Sequence, residues 1–120
     1  MIKIKRVYEA AQPSDGRRFL VDRVWPRGIR KDAANVEAWI KEAGPSDELR
    51  KWFGHDPRRW TQFRRRYLRE LNQREDVLAP LVRAAREGDI TLVYSARDQQ
   101  HNQAVVIKNV LEAQLQTAAV

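Results

Sequence analysis

Two short stretches, far apart in the chain, carry residue types that could hold an anion and move a proton. The first is Phe19-Leu20-Val21-Asp22-Arg23-Val24-Trp25-Pro26-Arg27-Gly28, where an apolar run meets a carboxylate, two arginines and an indole. The second is Tyr94-Ser95-Ala96-Arg97-Asp98, followed closely by His101 and Asn102. Guanidinium groups grip phosphate or carboxylate through paired N–H donors, and a carboxyl or imidazole beside them could relay a proton. Asp22, His101 and Asp98 are therefore the acid–base candidates. Arg23, Trp25, Arg27, Ser95, Arg97 and Asn102 are the anion-binding candidates. Each has a structural reading beside the chemical one: Asp98 suits a helix N-cap, Asp22 and Arg23 could simply pair with each other, and Trp25 could be core.

For these groups to act together, both stretches must be strand ends. Phe19 to Val21 is continuously apolar, as in a strand covered on both faces, while Pro26 removes a ladder donor and Gly28 permits a positive φ. Pairing should stop near Trp25. Ile90-Thr91-Leu92-Val93-Tyr94 is the most β-prone run and reads as a central strand. In open α/β sheets, ligands bind beyond the carboxyl ends of the strands, so parallel neighbours would place both stretches around one crevice. His101 is expected in the first turn of the following helix, where the dipole favours a neutral imidazole.

The remaining elements follow from spacing. Ile2, Ile4 and Val7 read as a first strand, and Gln12-Pro13-Ser14-Asp15-Gly16 as a turn into a second over 18–24. So short a connector suits an antiparallel hairpin. Val36, Trp39, Ile40 and Ala43 stand at i, i+3, i+4 and i+7, which predicts a helix over 33–43. Ser46 should cap a short helix ending at Gly54. Asp56-Pro57 should open a longer one to Asn72, with Trp60, Phe63, Tyr67, Leu68 and Leu71 as its apolar stripe. Val77 to Ala85 reads as another helix, although Pro80 leaves its start open. Val106, Ile107, Val110 and Leu111 mark the last helix. Together these predict one α/β domain over residues 1–120: two or three layers, a sheet of three or four strands and about five helices.

Arginine and lysine number 23 against 16 acidic residues, a net charge of +7, so an anionic partner is favoured. Arg58, Arg59, Arg65, Arg66 and Arg69 lie largely off the apolar stripe of the 57–72 helix and supply the alternative, a nucleic-acid contact. No helix-turn-helix, zinc-finger or aromatic RNA-binding pattern accompanies them, and a solvated basic face is the plainer explanation. A third reading is a non-catalytic partner-binding protein, which would expose an apolar patch. The chain has no cysteine, which excludes disulfides and thiolate chemistry. Its two histidines are far apart and no phosphate loop or dinucleotide fingerprint is present, so neither metal nor cofactor is expected. No apolar run approaches the roughly 20 residues of a membrane span, and the first residues alternate like a strand. A cytoplasmic protein is expected.

The pieces KRVY, LVDRVWPRG, LRKWFGHDPRRW, FRRRY and LVYSARDQQHNQAVV, in that order, closely resemble the YeaO-like branch of domain-of-unknown-function family 488. The resemblance covers nearly the whole chain. It implies a bacterial α/β protein with a mainly parallel sheet, against the hairpin inference, and it implies no established activity. A sister branch carries a cysteine at one strand end and a Cys-His-Arg triplet further on. Here Tyr94 stands at the first cysteine position and Asn102-Gln103-Ala104 replaces the triplet, so that branch's thiol or metal chemistry does not carry over.

Overall fold

The computed structural model describes residues 1–118 and is built on a four-stranded parallel sheet of order β1-β4-β2-β3. The strands are β1 (Ile2–Arg6), β2 (Arg17–Leu20), β3 (Ala38–Trp39) and β4 (Ile90–Tyr94). β4 lies inside the sheet and is buried at every residue, as a continuously apolar run requires. Ile4 of β1 and Phe19 of β2 both register with Leu92.

The sheet's alternation sorts its side chains into two cores. Ile2, Phe19, Val21, Ile90, Leu92 and Tyr94 join one cluster with residues of all four helices: α1 (Asp47–Phe53), α2 (Trp60–Asn72), α3 (Glu75–Glu87) and α4 (Gln103–Ala118). Val7, Leu20 and Val93 form a smaller cluster on the opposite face. There the cover is Trp25, Ile29, Val36 and Trp39, from the connection between β2 and β3 and from β3 itself. Helices thus cover one face and largely irregular chain the other.

Three expectations change. β1 and β2 do not form a hairpin; they are parallel, with β4 between them. The connector, residues 7–16, reaches about 33 Å when extended. That suffices to run back along a strand of about 16 Å and step over one intervening strand, a shift of about 10 Å, with a single 3₁₀ turn at Pro13–Asp15 and no α-helix. Residues 33–43 do not form a helix either. Ala38 and Trp39 pair with Phe19 and Leu20 as an edge strand, with single 3₁₀ turns at Lys31–Ala33 and Lys41–Ala43. Asn35, at φ 53°, interrupts any helix, and the open edge of β2 offers ladder partners that outweigh a short apolar periodicity. β2 itself is shorter than 18–24, and its pairing closes with the Val21 N–H donating to the Val93 carbonyl at 3.0 Å.

The capping expectations for Ser46, Gly54 and Asp56 match the structure. Ser46 accepts the Leu49 N–H at 3.2 Å at the start of α1, and Gly54, at φ 54°, closes it. Asp56 caps the 3₁₀ turn Pro57–Arg59 that leads into α2. α3 begins at Glu75, ahead of Pro80, whose missing N–H falls on an exposed position. No helix among the described residues is long and apolar enough to cross a membrane.

Candidate strand-end site

Asp22 follows directly on the last ladder bond of β2, and its backbone carbonyl accepts the Trp39 indole N–H at 2.6 Å. Its side chain is only 5% exposed. One carboxylate oxygen accepts the Ser95 backbone N–H at 3.0 Å and the other accepts the Gln103 amide. The end of β2, the end of β4 and the start of α4 are therefore joined through a single carboxyl. Burial pushes that carboxyl up to about 6, against the opposing effect of the Ser95 and Gln103 bonds and of the nearby His55.

Arg23 turns away from Asp22. Its guanidinium donates to the Pro45 carbonyl at 3.1 Å, the Gly44 carbonyl at 2.9 Å and the Glu42 carboxylate at 3.2 Å. It holds the segment before α1 in place, together with Arg74, which donates to the Gly44 carbonyl, and Tyr67, which donates to the Ala43 carbonyl. The contact there is close: a Cβ on Gly44 would stand 2.8 Å from the Arg23 nitrogen and 3.0 Å from its Cβ. Gly44→Ala is therefore expected to lower stability by about 2 kcal/mol, measured by urea unfolding, since backbone and not a flexible side chain must move. An unchanged midpoint would show that the two segments are free to separate.

The second stretch is set by Arg6, at the end of β1, which donates to the Ala96 carbonyl at 2.9 Å and the Ser95 carbonyl at 3.2 Å. Asp98 does not cap α4. It closes its own turn, accepting the backbone N–H groups of Gln100 and His101 at 2.9 and 3.0 Å, with His101 Nδ1 2.9 Å from its other oxygen. These N–H groups and the imidazole hold its carboxyl below the usual range. Asn102 is the cap: its Oδ1 accepts the Val105 N–H at 3.2 Å and its amide donates to the Asp98 carbonyl at 2.9 Å. His101 thus precedes the helix, and the dipole argument for it falls. Its ring packs edge-on against Trp60, with centroids 5.2 Å apart.

Two adjoining hollows open at these strand ends. The inner one, of about 150 Å³, is lined by Asp22, Arg23, Arg50, His101, Asn102 and Gln103 against Phe53 and Phe63. The outer one, of about 680 Å³, is lined by Tyr8, Trp25, Arg27, Arg97 and Asp98. Val24, His55, Ser95 and Ala96 stand in the walls of both. All nine acid–base and anion-binding candidates line one hollow or the other, but Arg23 and Arg97 line different ones. Trp25 has a second task, packing edge-on against Trp39 at 5.3 Å in the smaller core. Gly28, at φ 78°, lets the chain turn so that the Trp25 indole reaches the Ile29 carbonyl at 2.6 Å.

Three wall residues, Arg50, Gln103 and Tyr8, sit on otherwise ordinary elements and carry no local signal, and His55 lies in the LRKWFGHDPRRW piece that carries the family resemblance. His55 reads as a turn residue, yet it occupies the left-handed region at φ 57° directly after Gly54. A non-glycine residue held there is a mark of constraint worth relating to function.

The arginines of the α2 region divide. Arg58 chelates Asp56, and Arg59 and Arg66 lie over the Trp52 ring at 5.3 and 4.9 Å. Arg65 and Arg69 are exposed.

The family DUF488-N3i, described as the inactive DUF488-N3 subclade, matches residues 1–119. The chain is similar to YeaO of Escherichia coli K12, an uncharacterized protein, at 44% identity over 93% of this chain and 97% of that one. It is also 41% identical to the uncharacterized Rv3073c of Mycobacterium tuberculosis H37Rv, over 92% of each chain. No solved structure matches.

Proposed function

We propose, for a chain that belongs to the DUF488-N3i family, the inactive DUF488-N3 subclade, that it binds a small phosphate- or carboxylate-bearing molecule at its strand ends without converting it. The observation that carries this reading is the pair Arg27 and Arg97. Both are exposed, both line the outer groove, and neither side chain has a hydrogen-bond or ion-pair partner among the described residues. Two like charges along one groove repel, and an anion between them removes that cost while filling donors otherwise left to water. Arg23 acts beside them as a structural tie, since its N–H groups already serve Glu42, Gly44 and Pro45.

Binding without turnover accords with the family's description as inactive. It accords also with the site's carboxylates, because Asp22 and Asp98 both accept N–H groups of the chain and tie its loops. A metabolite of this kind would place the protein's work in the cytoplasm. The nucleic-acid reading has less behind it, since Arg58, Arg59 and Arg66 are engaged within the chain.

Titration calorimetry with inorganic phosphate tests the assignment. The wild type is expected to bind, and the Arg27→Ala, Arg97→Ala double variant to bind at least about tenfold more weakly, one charge-assisted hydrogen bond being worth that much or more. Both side chains are exposed, so the fold should be unaffected. Equal affinities in the two proteins would remove the reading.

A further inference from the structure

We infer that the ligand is bipartite: a small planar ring with a neutral N–H donor enters the inner hollow to meet Asp22, and its anionic tail stays outside between Arg27 and Arg97. The inference rests on the anion-binding reading and adds the chemical class of the other end.

Size sets the first limit. A cavity of about 150 Å³ is the volume that accommodates benzene in a protein core, so the inner hollow takes one six-membered ring and little more. Its lining agrees: Phe53 and Phe63, stacked on each other with centroids 4.2 Å apart, give the hollow an apolar wall.

Charge sets the second. An anionic end pushed inward would face the Asp22 carboxylate, while of the two arginines in the lining Arg23 is committed to Glu42 and two carbonyls and Arg50 is paired with Asp47 at 3.5 Å. A cationic end fares no better, because the guanidinium groups of Arg23 and Arg50 line the same hollow. A neutral polar group suits both. Asp22 still has capacity for it: a carboxylate has about four acceptor sites, and the hydrogen bonds within the described residues fill two of them, with the Ser95 N–H and the Gln103 amide. What the hollow lacks is one more donor aimed at that carboxylate.

Continuity sets the third. Val24, His55, Ser95 and Ala96 wall both hollows, so a molecule seated in the inner one leads directly into the outer groove, where Arg27 and Arg97 stand. His55, whose ring centroid lies 6.3 Å from that of Phe53, stands at this junction.

The test is a calorimetric comparison, at neutral pH, of inorganic phosphate with three aryl phosphates: phenyl, para-aminophenyl and para-nitrophenyl phosphate. All three carry the same tail and ring, and they differ in presenting nothing, a neutral donor or an acceptor at the far end. The expected order is aminophenyl tightest and nitrophenyl weakest, with aminophenyl phosphate at least about tenfold tighter than phenyl phosphate, as for one hydrogen bond to a charged acceptor. Asp22→Asn is expected to erase that preference. Because this variant could disturb folding, the wild-type order decides the matter by itself. Three equal affinities, a preference for the nitro compound, or aryl phosphates no tighter than inorganic phosphate would overturn the inference and leave the anion site standing. Failure of every probe, inorganic phosphate included, would overturn both.

Discussion

Arg18→Ala is expected to lower the unfolding free energy by about 3–5 kcal/mol, the usual cost of removing one partner from a buried ion pair. Arg18 is 7% exposed and Asp15 is 4% exposed, on the sheet face that has no helix. The guanidinium donates to the Asp15 carboxylate at 2.6 Å, to the Asn35 carbonyl at 2.9 Å and to the Ala34 carbonyl at 3.3 Å. Lys5 lies 3.2 Å from both Asp15 oxygens, and the Gln12 N–H completes the set. Truncating Arg18 leaves two backbone carbonyls without their donor and a buried carboxylate short of its nearest cation. It also removes the side-chain tie between β2 and the connection that covers it. The measurement is urea unfolding at neutral pH, with an unchanged slope against denaturant confirming that the native state alone was affected. A loss below about 1 kcal/mol would mean that water reaches this cluster.

The same cluster predicts acid sensitivity. Burial pushes the Asp15 carboxyl up, but the bonds from Gln12, Arg18 and Lys5 outweigh it and hold the carboxyl below its ordinary value of 3.8. A depressed carboxyl contributes stability above its unfolded value, and that contribution disappears as the pH falls through the folded one.

The second large effect has the opposite sign and a different window. Asp22 binds its proton more tightly folded, at about 6, than unfolded, near 3.8. Between those values the folded state holds more protons than the unfolded state, so stability falls as the pH rises. The shift, about two units, corresponds to a loss of about 3 kcal/mol, complete once the pH passes the folded value. Asp22→Asn is close in size and cannot titrate. Its unfolding free energy is expected to be flat across this window, apart from the slopes that other carboxyls give both proteins. Measuring both proteins from pH 4 to pH 7 decides the point, and parallel curves would show that Asp22 is better hydrated than its surroundings imply. The charge on Asp22 is tolerated because Ser95 and Gln103 meet it, so the group that joins three elements also weakens the fold above its own titration.

Much of the framework is local and therefore legible in residue order. Ser46 ahead of Asp47 and Glu48, Asp56 ahead of Pro57, and Gly54 at a helix end each act through bonds to residues two to four positions away. The Ile90–Tyr94 run predicts an interior strand because five consecutive β-prone residues have no other way to bury themselves. Both chemistry-bearing stretches follow strands, and strand ends are recognisable wherever an apolar run meets proline, glycine or charge. That much the residue order determined: three of the four strands, the four α-helices, and which side chains stand near the carboxyl ends.

Tertiary structure decided the partners. Arg23 could have met Asp22 next to it and instead reaches Glu42, Gly44 and Pro45, about twenty positions away. Asp98 and Asn102 both suit an N-cap, and the choice fell to Asn102 because Asp98 was drawn into its own turn with His101. Residues 33–43 carry a helical spacing, yet the open edge of β2 made a strand of Ala38 and Trp39. The physical reason is the same in each case. A cap or a periodic stripe depends on neighbours that the covalent chain holds within one or two turns, whereas a long cation or an unpaired strand edge satisfies itself with whatever acceptor comes within about 3 Å after collapse, and only the packing of distant segments brings that acceptor there.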